Sequence, residues 1–251
     1  MVAKRVIPCL DVHEGKTVKG VNFINLKEIG DPAEMGKFYA SEGADELVYL
    51  DISATTEGRK TFISLVKKVA KELNIPFTVG GGISDTSHAS ALLDAGADKI
   101  TLNSAAIINP GLITDIARRY GSQFVVVAID AKCEQNRWRV MSRGGTKDES
   151  RDLFEWAVEA TERGAGEILF TSMDHDGTKK GFACDALFEL CNKLKTPVIA
   201  SGGAGTMDHF LEMFLKSGAD AALAASVFHN REIIIQDLKR YLNKSGVRVR
   251  L

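Results

Sequence analysis

The chain has 251 residues with 32 Lys or Arg, 33 Asp or Glu and a formal net charge of −1, so its overall charge indicates neither nucleic acid nor an anionic membrane as a partner. No run approaches the roughly 18 apolar residues of a membrane-spanning helix, and the N-terminus lacks the apolar core of a signal peptide. The four cysteines form no CxxC pair, which is typical of free thiols in a reducing compartment. We therefore expect a cytoplasmic protein.

Short apolar runs alternate with longer segments of helical period along the chain. Eight runs predict strands, at about residues 6–10, 46–50, 77–79, 99–102, 124–129, 167–170, 198–200 and 221–224. Each is followed by a helical pattern, and these begin near residues 32, 60, 86, 110, 151, 185, 207 and 233. Strict alternation with strands this apolar predicts the α/β class, with a parallel sheet that helices cover.

Two segments about 120 residues apart carry nearly the same sequence. PFTVGGGISD from Pro76 corresponds to PVIASGGAGT from Pro197, and GADKITLNSA from Gly96 corresponds to GADAALAASV from Gly218. This period is too long for a solenoid repeat. Eight strand and helix units with an internal repeat predict a (β/α)8 TIM barrel, built from two duplicated half-barrels and forming a single domain over residues 1–251.

Each copy of the repeat ends its strands in residues that suit phosphate binding. Gly82 follows the third strand and Gly203 follows the seventh, where glycine lets a ligand approach backbone N–H groups. The neighbouring strands end in Asn103, Ser104, Ala225 and Ser226. We expect one anion-binding cradle in each half and a ligand with two phosphates. The alternative is a pair of tight turns without a ligand.

Asp11 and Asp130 occupy equivalent positions, at the ends of the first and fifth strands. A carboxylate that ends a buried apolar strand is poorly solvated, which raises its pKa and suits one as an acid and the other as a base. The alternative is a structural carboxylate that caps a loop or pairs with a lysine such as Lys19. Asp51 and Asp176 are interpreted as orienting or ligand-binding groups. The five histidines show no metal-ligand spacing with each other or with the Asp pair, so we expect no metal ion. We also expect no cofactor.

Two connections are longer than the others, those that follow the first and fifth strands. They contain Gly and Lys and lie at the catalytic end, so we interpret them either as lids or as ordered surface hairpins. Four charged residues begin strands at the opposite end, namely Arg5, Glu46, Lys99 and Glu167. They predict either a solvated ring of ion pairs with little energetic value or a gate on the barrel axis.

The sequence resembles the cyclase subunits of imidazole glycerol phosphate synthase, a family of histidine biosynthesis, in the motifs IPCLDVHEGKTVKGVNF, LDISAT, FTVGGGI, ITLNSAA, VVVAIDAK, SMDHDGTKKGF and VIASGGAGTMDHF. This resemblance covers essentially the whole chain. It implies a barrel that takes ammonia from a separate glutaminase subunit. The barrel converts phosphoribulosyl-formimino-aminoimidazole carboxamide ribonucleotide, which carries two phosphates, into imidazole glycerol phosphate and aminoimidazole carboxamide ribonucleotide.

The resemblance also implies roles for individual residues. Asp11 and Asp130 match the catalytic acid and base, Lys19 matches a mobile-loop residue that closes over substrate, and Asp98 matches a position at the glutaminase interface. The four residues at the opposite end match the ring where ammonia enters the barrel. Substrate and phosphate ligands fall on Asp51, Gly82, Asn103, Ser104, Thr171, Asp176, Gly177, Gly203, Ala225 and Ser226.

Three other functions stay open at this point. One is the isomerase of the same pathway, a similar doubled barrel; the motifs KGVNF and LDISAT and the intact ring favour the cyclase over it. Another is a paralogue that supplies ammonia to a different acceptor. The last is a phosphate-binding protein without catalysis that only activates a glutaminase, which the intact Asp11 and Asp130 argue against.

Overall fold

The computed structural model describes residues 2–21, 24–52 and 63–251, and all strands within these ranges belong to one twelve-stranded sheet. In chain order they are β1 (Arg5–His13), β2 (Lys16–Val21), β3 (Ile24–Gly30), β4 (Leu47–Asp51), β5 (Phe77–Gly80), β6 (Lys99–Leu102), β7 (Val125–Glu134), β8 (Arg137–Ser142), β9 (Lys147–Asp152), β10 (Glu167–Ser172), β11 (Val198–Ser201) and β12 (Ala221–Ala224). Eight strands pair in parallel in the order β10, β11, β12, β1, β4, β5, β6, β7, and β7 pairs back onto β10. The predicted (β/α)8 barrel is confirmed.

The described residues include ten α-helices around this barrel. They are α1 (Pro32–Ser41), α2 (Ile63–Glu72), α3 (Thr86–Asp94), α4 (Ser104–Ile108), α5 (Gly111–Tyr120), α6 (Leu153–Glu162), α7 (Cys184–Lys193), α8 (Met207–Ser217), α9 (Ser226–His229) and α10 (Ile235–Lys244). Helices α4 and α9 were not predicted, because a helix of four or five residues is too short to show a period. The predicted start of the second helix, at residue 60, lies outside the described residues.

Strands β1 and β7 are longer than predicted, and both continue into hairpins. Asp11 pairs with Val18 of β2, and Asp130 pairs with Met141 of β8. The predicted strand ends at residues 10 and 129 are wrong, because an antiparallel partner extends the ladder beyond the barrel. The described parts of the two long connections form these hairpins. Each hairpin follows the first strand of its half-barrel. A lid function for them stays a prediction.

Alternation along the strands separates the barrel interior from the layer between strands and helices. On β1, Arg5, Ile7, Cys9 and Asp11 share one face, since successive side chains point to opposite sides. Residues of this interior set form a buried cluster of their own, made of Ile7, Cys9, Val48, Val126, Leu169, Ile199, Ala221 and Leu223. The other face packs against the helices in a larger cluster that includes Trp156 and Phe210.

The repeated pattern Gly-Ala-Asp before several strands has a structural reason. Each aspartate accepts a backbone N–H from the preceding barrel strand: Asp45 from Val6 at 2.9 Å, Asp98 from Phe77 at 3.0 Å and Asp220 from Val198 at 3.1 Å. At the fourth equivalent position the chain has Gly166, where a Cβ would clash with the carbonyl oxygen of Ser122. The same hydrogen bond, from a backbone N–H of one strand to the aspartate before the next, therefore links neighbouring strands at three places at the N-terminal end of the barrel.

Candidate active site

Asp11 and Asp130 stand where β1 and β7 leave the barrel and enter their hairpins. Asp11 pairs with Leu50 of β4, and Asp130 pairs with Thr171 of β10, in the last rungs of the parallel ladder. Strands β1 and β7 are four positions apart in the closed order of eight. The two carboxylates therefore face each other across the C-terminal mouth, which is where TIM-barrel sites lie.

Both carboxyls have pKa values close to neutrality. Burial raises the pKa of Asp11 to about 7, and the nearby charge of Asp176 acts in the same direction. Burial also raises the pKa of Asp130 to about 6, although hydrogen bonds from Asn103 and Thr171 favour its ionised form. Asp176 itself has a raised pKa because it is buried. Asp176 thus lies within electrostatic range of both carboxyls at the mouth. Near neutral pH, protonated and ionised forms of Asp11 and Asp130 are both accessible.

We call the predicted phosphate site at Gly82, Asn103 and Ser104 the first cradle and the site at Gly203, Ala225 and Ser226 the second cradle. Asn103 connects the carboxyl pair to the first cradle. Its Nδ2 donates a hydrogen bond to Asp130 Oδ2 at 2.9 Å, which orients the carboxylate. Its Oδ1 is buried and has no hydrogen-bond partner among the described residues. Buried polar atoms in proteins are nearly always hydrogen-bonded, so this oxygen is suited to accept a donor from a ligand.

Both glycine clusters have left-handed backbone, which the sequence analysis did not predict. The angle φ is +99° and +65° at Gly81 and Gly82, and +89° and +103° at Gly202 and Gly203. A Cβ at Gly81 would clash with the backbone oxygen of Asp51, so this position requires glycine for space as well as for conformation. Each cluster thus brings its backbone close to the mouth, as an anion site needs.

The strand beside each glycine cluster leads into a one-turn helix. Strand β5 pairs with β6 and β11 pairs with β12, so Ser104, which begins α4, and Ser226, which begins α9, lie next to the glycines. The backbone N–H groups at such a helix start are not used within the helix. The Ser104 hydroxyl also accepts the backbone N–H of Arg143 at 3.0 Å, so the second hairpin touches the first cradle.

The remaining predicted ligands lie at the same mouth. Asp51 is buried at the end of β4, Thr171 donates to Asp130, and Gly177 donates its backbone N–H to Asp176. Lys19 lies on the first hairpin, where its Nζ donates a hydrogen bond to Asn230 Oδ1.

The four charged residues at the opposite end form a closed ring. Arg5 Nη1 lies 2.7 Å from a carboxylate oxygen of Glu46 and 2.7 Å from one of Glu167. Lys99 Nζ lies 3.0 Å from the other oxygen of each glutamate. The four side chains are between 11% and 19% exposed, so the ring is largely shielded from solvent. Asp98, beside this ring, is exposed.

Within the ranges that the structure describes, no group of three or more His, Cys, Asp or Glu side chains is arranged to hold a metal ion. In the same ranges, no helix has the length and apolar character needed to cross a membrane.

Residues 5–234 match the model of the family described as Histidine biosynthesis protein. The chain belongs to this family. It is 59% identical over 251 residues to the proteins named "Imidazole glycerol phosphate synthase subunit HisF" of Phocaeicola vulgatus and Parabacteroides distasonis, with 100% of both chains covered. It is 58% identical over 250 residues to the protein of that name from Bacteroides thetaiotaomicron, again with 100% of both chains covered. The family predicted from the motifs is confirmed.

In this histidine biosynthesis barrel, several residues at the mouth were not predicted as site residues from the sequence. Lys179 and Glu232 form an ion pair at 2.6 Å, and Asn230 hydrogen-bonds to both Glu232 and Lys19. Lys179 lies within the motif SMDHDGTKKGF, but the two halves of the repeat do not match there. Comparison of the two halves therefore gave no signal for them.

Proposed function

We propose that this chain is the cyclase subunit of imidazole glycerol phosphate synthase and acts in histidine biosynthesis. It uses ammonia to convert phosphoribulosyl-formimino-aminoimidazole carboxamide ribonucleotide into imidazole glycerol phosphate and aminoimidazole carboxamide ribonucleotide. The observation that carries this proposal is the pair Asp11 and Asp130, which face each other between two glycine cradles and have pKa values of about 7 and about 6.

The carboxyl pair supplies the proton transfers. Ammonia loses protons as it forms bonds to the ketone carbon of the ribulosyl group and to the formimino carbon, and the ketone oxygen gains protons and leaves as water. The amino nitrogen of aminoimidazole carboxamide ribonucleotide gains a proton as its bond to the formimino carbon breaks. A pair in which one carboxyl is protonated and the other ionised performs both transfers, and its pKa values match a neutral medium. Asn103 and Thr171 hold Asp130 in place, so its position does not have to be established when substrate arrives.

The two cradles hold the two phosphates of the substrate. One phosphate binds at Gly82, Asn103 and Ser104, and the other at Gly177, Gly203, Ala225 and Ser226. Backbone N–H groups at glycine turns and helix starts bind phosphate without a net positive protein, which agrees with the net charge of −1. The reacting part of the substrate then lies between the cradles, beside the carboxyl pair.

Ammonia enters from the opposite end. A glutaminase subunit docks on the face that carries Asp98 and the ring of Arg5, Glu46, Lys99 and Glu167, and its product passes through the ring. The apolar interior lined by Ile7 and Cys9 on β1 leads from Arg5 to Asp11 on one face of the strand. Neutral ammonia crosses such a lining more readily than water-bound ammonium does. Both subunits act in the cytoplasm.

Substitution of the pair tests this function. Asp11→Asn and Asp130→Asn keep the shape of the side chain and remove its proton transfer, so each reduces ammonia-dependent turnover by at least about 100-fold. Turnover is measured with the bisphosphate substrate and an ammonium salt. Asp115→Asn, an exposed change on the outer helix α5, is the control and keeps full activity. Near-normal turnover of a folded Asp11→Asn protein contradicts the proposal.

A further inference from the structure

Three connections at the mouth meet in one hydrogen-bonded cluster. Lys179, in the segment after β10, places its Nζ 2.6 Å from both carboxylate oxygens of Glu232, in the segment after α9. Asn230 Nδ2 donates to the same carboxylate at 2.7 Å. Asn230 Oδ1 in turn accepts from Lys19 on the first hairpin. We call Lys19, Lys179, Asn230 and Glu232 the rim cluster.

The rim cluster adjoins the second cradle. The segment that contains Lys179 packs on the glycine turn: Gly181 N donates to Gly203 O at 2.8 Å, and a Cβ at Gly205 would clash with the backbone oxygen of Lys179. On the other side, Asn230 N donates to Ser226 O at 3.0 Å, one helical turn behind the cradle. The segment that carries Lys179 and Asn230 itself are thus each hydrogen-bonded to a residue that we assign to the second phosphate.

Backbone conformation fixes the position of Lys179. Its φ is +57°, in the left-handed region that favours glycine and is unfavourable for a lysine. A non-glycine residue keeps such a conformation only where the surrounding structure imposes it, and such residues are concentrated at functional sites. The ammonium group itself stays adjustable, because it ends a flexible four-carbon stem.

The rim cluster contains two positive charges, on Lys19 and Lys179, and one negative charge, on Glu232. The pKa of Glu232 lies below its usual range because of hydrogen bonds from Lys179 and Asn230 and the nearby charges of Lys179 and Lys19. One carboxylate therefore interacts with two ammonium groups beside a site proposed for an anion. A phosphate with charge near −2 is a stronger partner for these ammonium groups than a carboxylate.

We propose that Glu232 is the resting counter-ion of the second phosphate site and that Lys179 is a further ligand of that phosphate. In the free protein Glu232 holds Lys179 at the rim and, through Asn230, holds Lys19. When a phosphate group enters the second cradle, Lys179 exchanges Glu232 for the phosphate. Glu232 thereby weakens phosphate binding and Lys179 strengthens it. This inference rests on the proposed function only in that the second cradle binds a phosphate.

Binding of inorganic phosphate to the full chain tests the inference by calorimetry at low ionic strength. We expect Glu232→Gln to tighten binding by about two- to fivefold, and Lys179→Met to weaken it by a similar factor. In the double variant the gain in affinity from Glu232→Gln disappears, because the Lys179 ammonium group that Glu232→Gln releases for phosphate is absent. The gain also shrinks as salt is raised toward about 0.5 M, since both effects are electrostatic.

A matched control is available on the outside of the barrel. Glu212 forms an exposed ion pair with Lys216 at 2.6 Å on α8, so Glu212→Gln removes the same charge away from the mouth. We expect this variant to bind phosphate as the wild type does. The inference is overturned if Glu232→Gln leaves affinity unchanged or weakens it, if its gain persists in full in the Lys179→Met background, or if Glu212→Gln gives the same gain.

Turnover separates this inference from the proposed function. The same variants are assayed with the bisphosphate substrate and ammonia, where Glu232→Gln lowers KM and Lys179→Met raises it. Turnover with unchanged KM in both variants overturns the inference and leaves the cyclase function standing. Altered phosphate affinity in proteins that show no ammonia-dependent turnover supports the inference and contradicts the cyclase function.

Discussion

At the scale of single residues, Asp11 and Asp130 have their properties because of where the backbone places them. Each pairs with a parallel barrel strand one residue before that ladder ends, and each also forms the first rung of an antiparallel hairpin. Hairpin and barrel together remove water from the carboxyl, and Asp176 adds a further negative charge. Desolvation and like charge both favour the protonated form, so both pKa values rise.

This environment predicts a pH-dependent stability difference for Asp11→Asn. The folded pKa of about 7 exceeds the ordinary value of 3.8, so between these values the folded protein holds a proton that the unfolded chain has lost. Stability from this group is present at low pH and is lost as pH rises toward about 7. We therefore expect the variant to be more stable than the wild type at about pH 8, by on the order of 2 kcal/mol.

Urea denaturation at several pH values measures this difference. The gain in free energy of unfolding should shrink as the pH is lowered from about 8 toward about 5, where the wild-type carboxyl is protonated in the folded state. Asp115→Asn, with its exposed carboxyl, should show no such trend. A gain for Asp11→Asn that is constant over this range would mean that the native carboxyl is not desolvated.

At the scale of elements, the starts of four strands build the ring at the opposite end. Each cation contacts both glutamates, and each glutamate contacts both cations, so every side chain holds two others. Because the side chains of Glu46 and Glu167 are each only 11% exposed, loss of one cation leaves two poorly solvated carboxylates that share the other. Removing one partner of a buried pair costs more than the intact pair contributes.

Lys99→Met tests the ring as a gate. We expect it to lower the free energy of unfolding by about 1–3 kcal/mol and to open one side of the ring. With the glutaminase present, the fraction of glutamine-derived ammonia that appears in product should fall, while turnover with external ammonium should persist, since it does not depend on the ring. Lys216→Met, which breaks the exposed pair on α8, is the control. An unchanged fraction in a destabilised Lys99→Met protein would assign the ring a structural role only.

At the scale of the whole molecule, the two halves share the order of their strands, hairpins and one-turn helices but differ in the side chains at the mouth. Hairpins leave β1 and β7 at equivalent places, and one-turn helices follow β6 and β12 in the same way. Asn103 of the first half corresponds to Ala225 of the second, and Lys99 corresponds to Ala221. Asn103 contacts Asp130, while the rim cluster borders the second cradle. Such asymmetry fits a substrate whose two ends differ.

Sequence alone predicted the barrel, the facing aspartates and the glycine clusters, because repetition and strand ends are visible in the chain. It missed α4 and α9, since a single helical turn has no detectable period. It also ended β1 and β7 too early, because the extending partner is a hairpin in the same connection. The rim cluster could not be predicted, since Lys179 and Glu232 are brought together only by the tertiary fold.

The most direct test of the central claim is turnover by the purified chain without any glutaminase. With the bisphosphate substrate and ammonium salt, we predict that imidazole glycerol phosphate and aminoimidazole carboxamide ribonucleotide form in a one-to-one ratio, and that neither forms when ammonia is omitted. A folded chain that binds phosphate and activates a glutaminase, yet forms neither product, would contradict the claim.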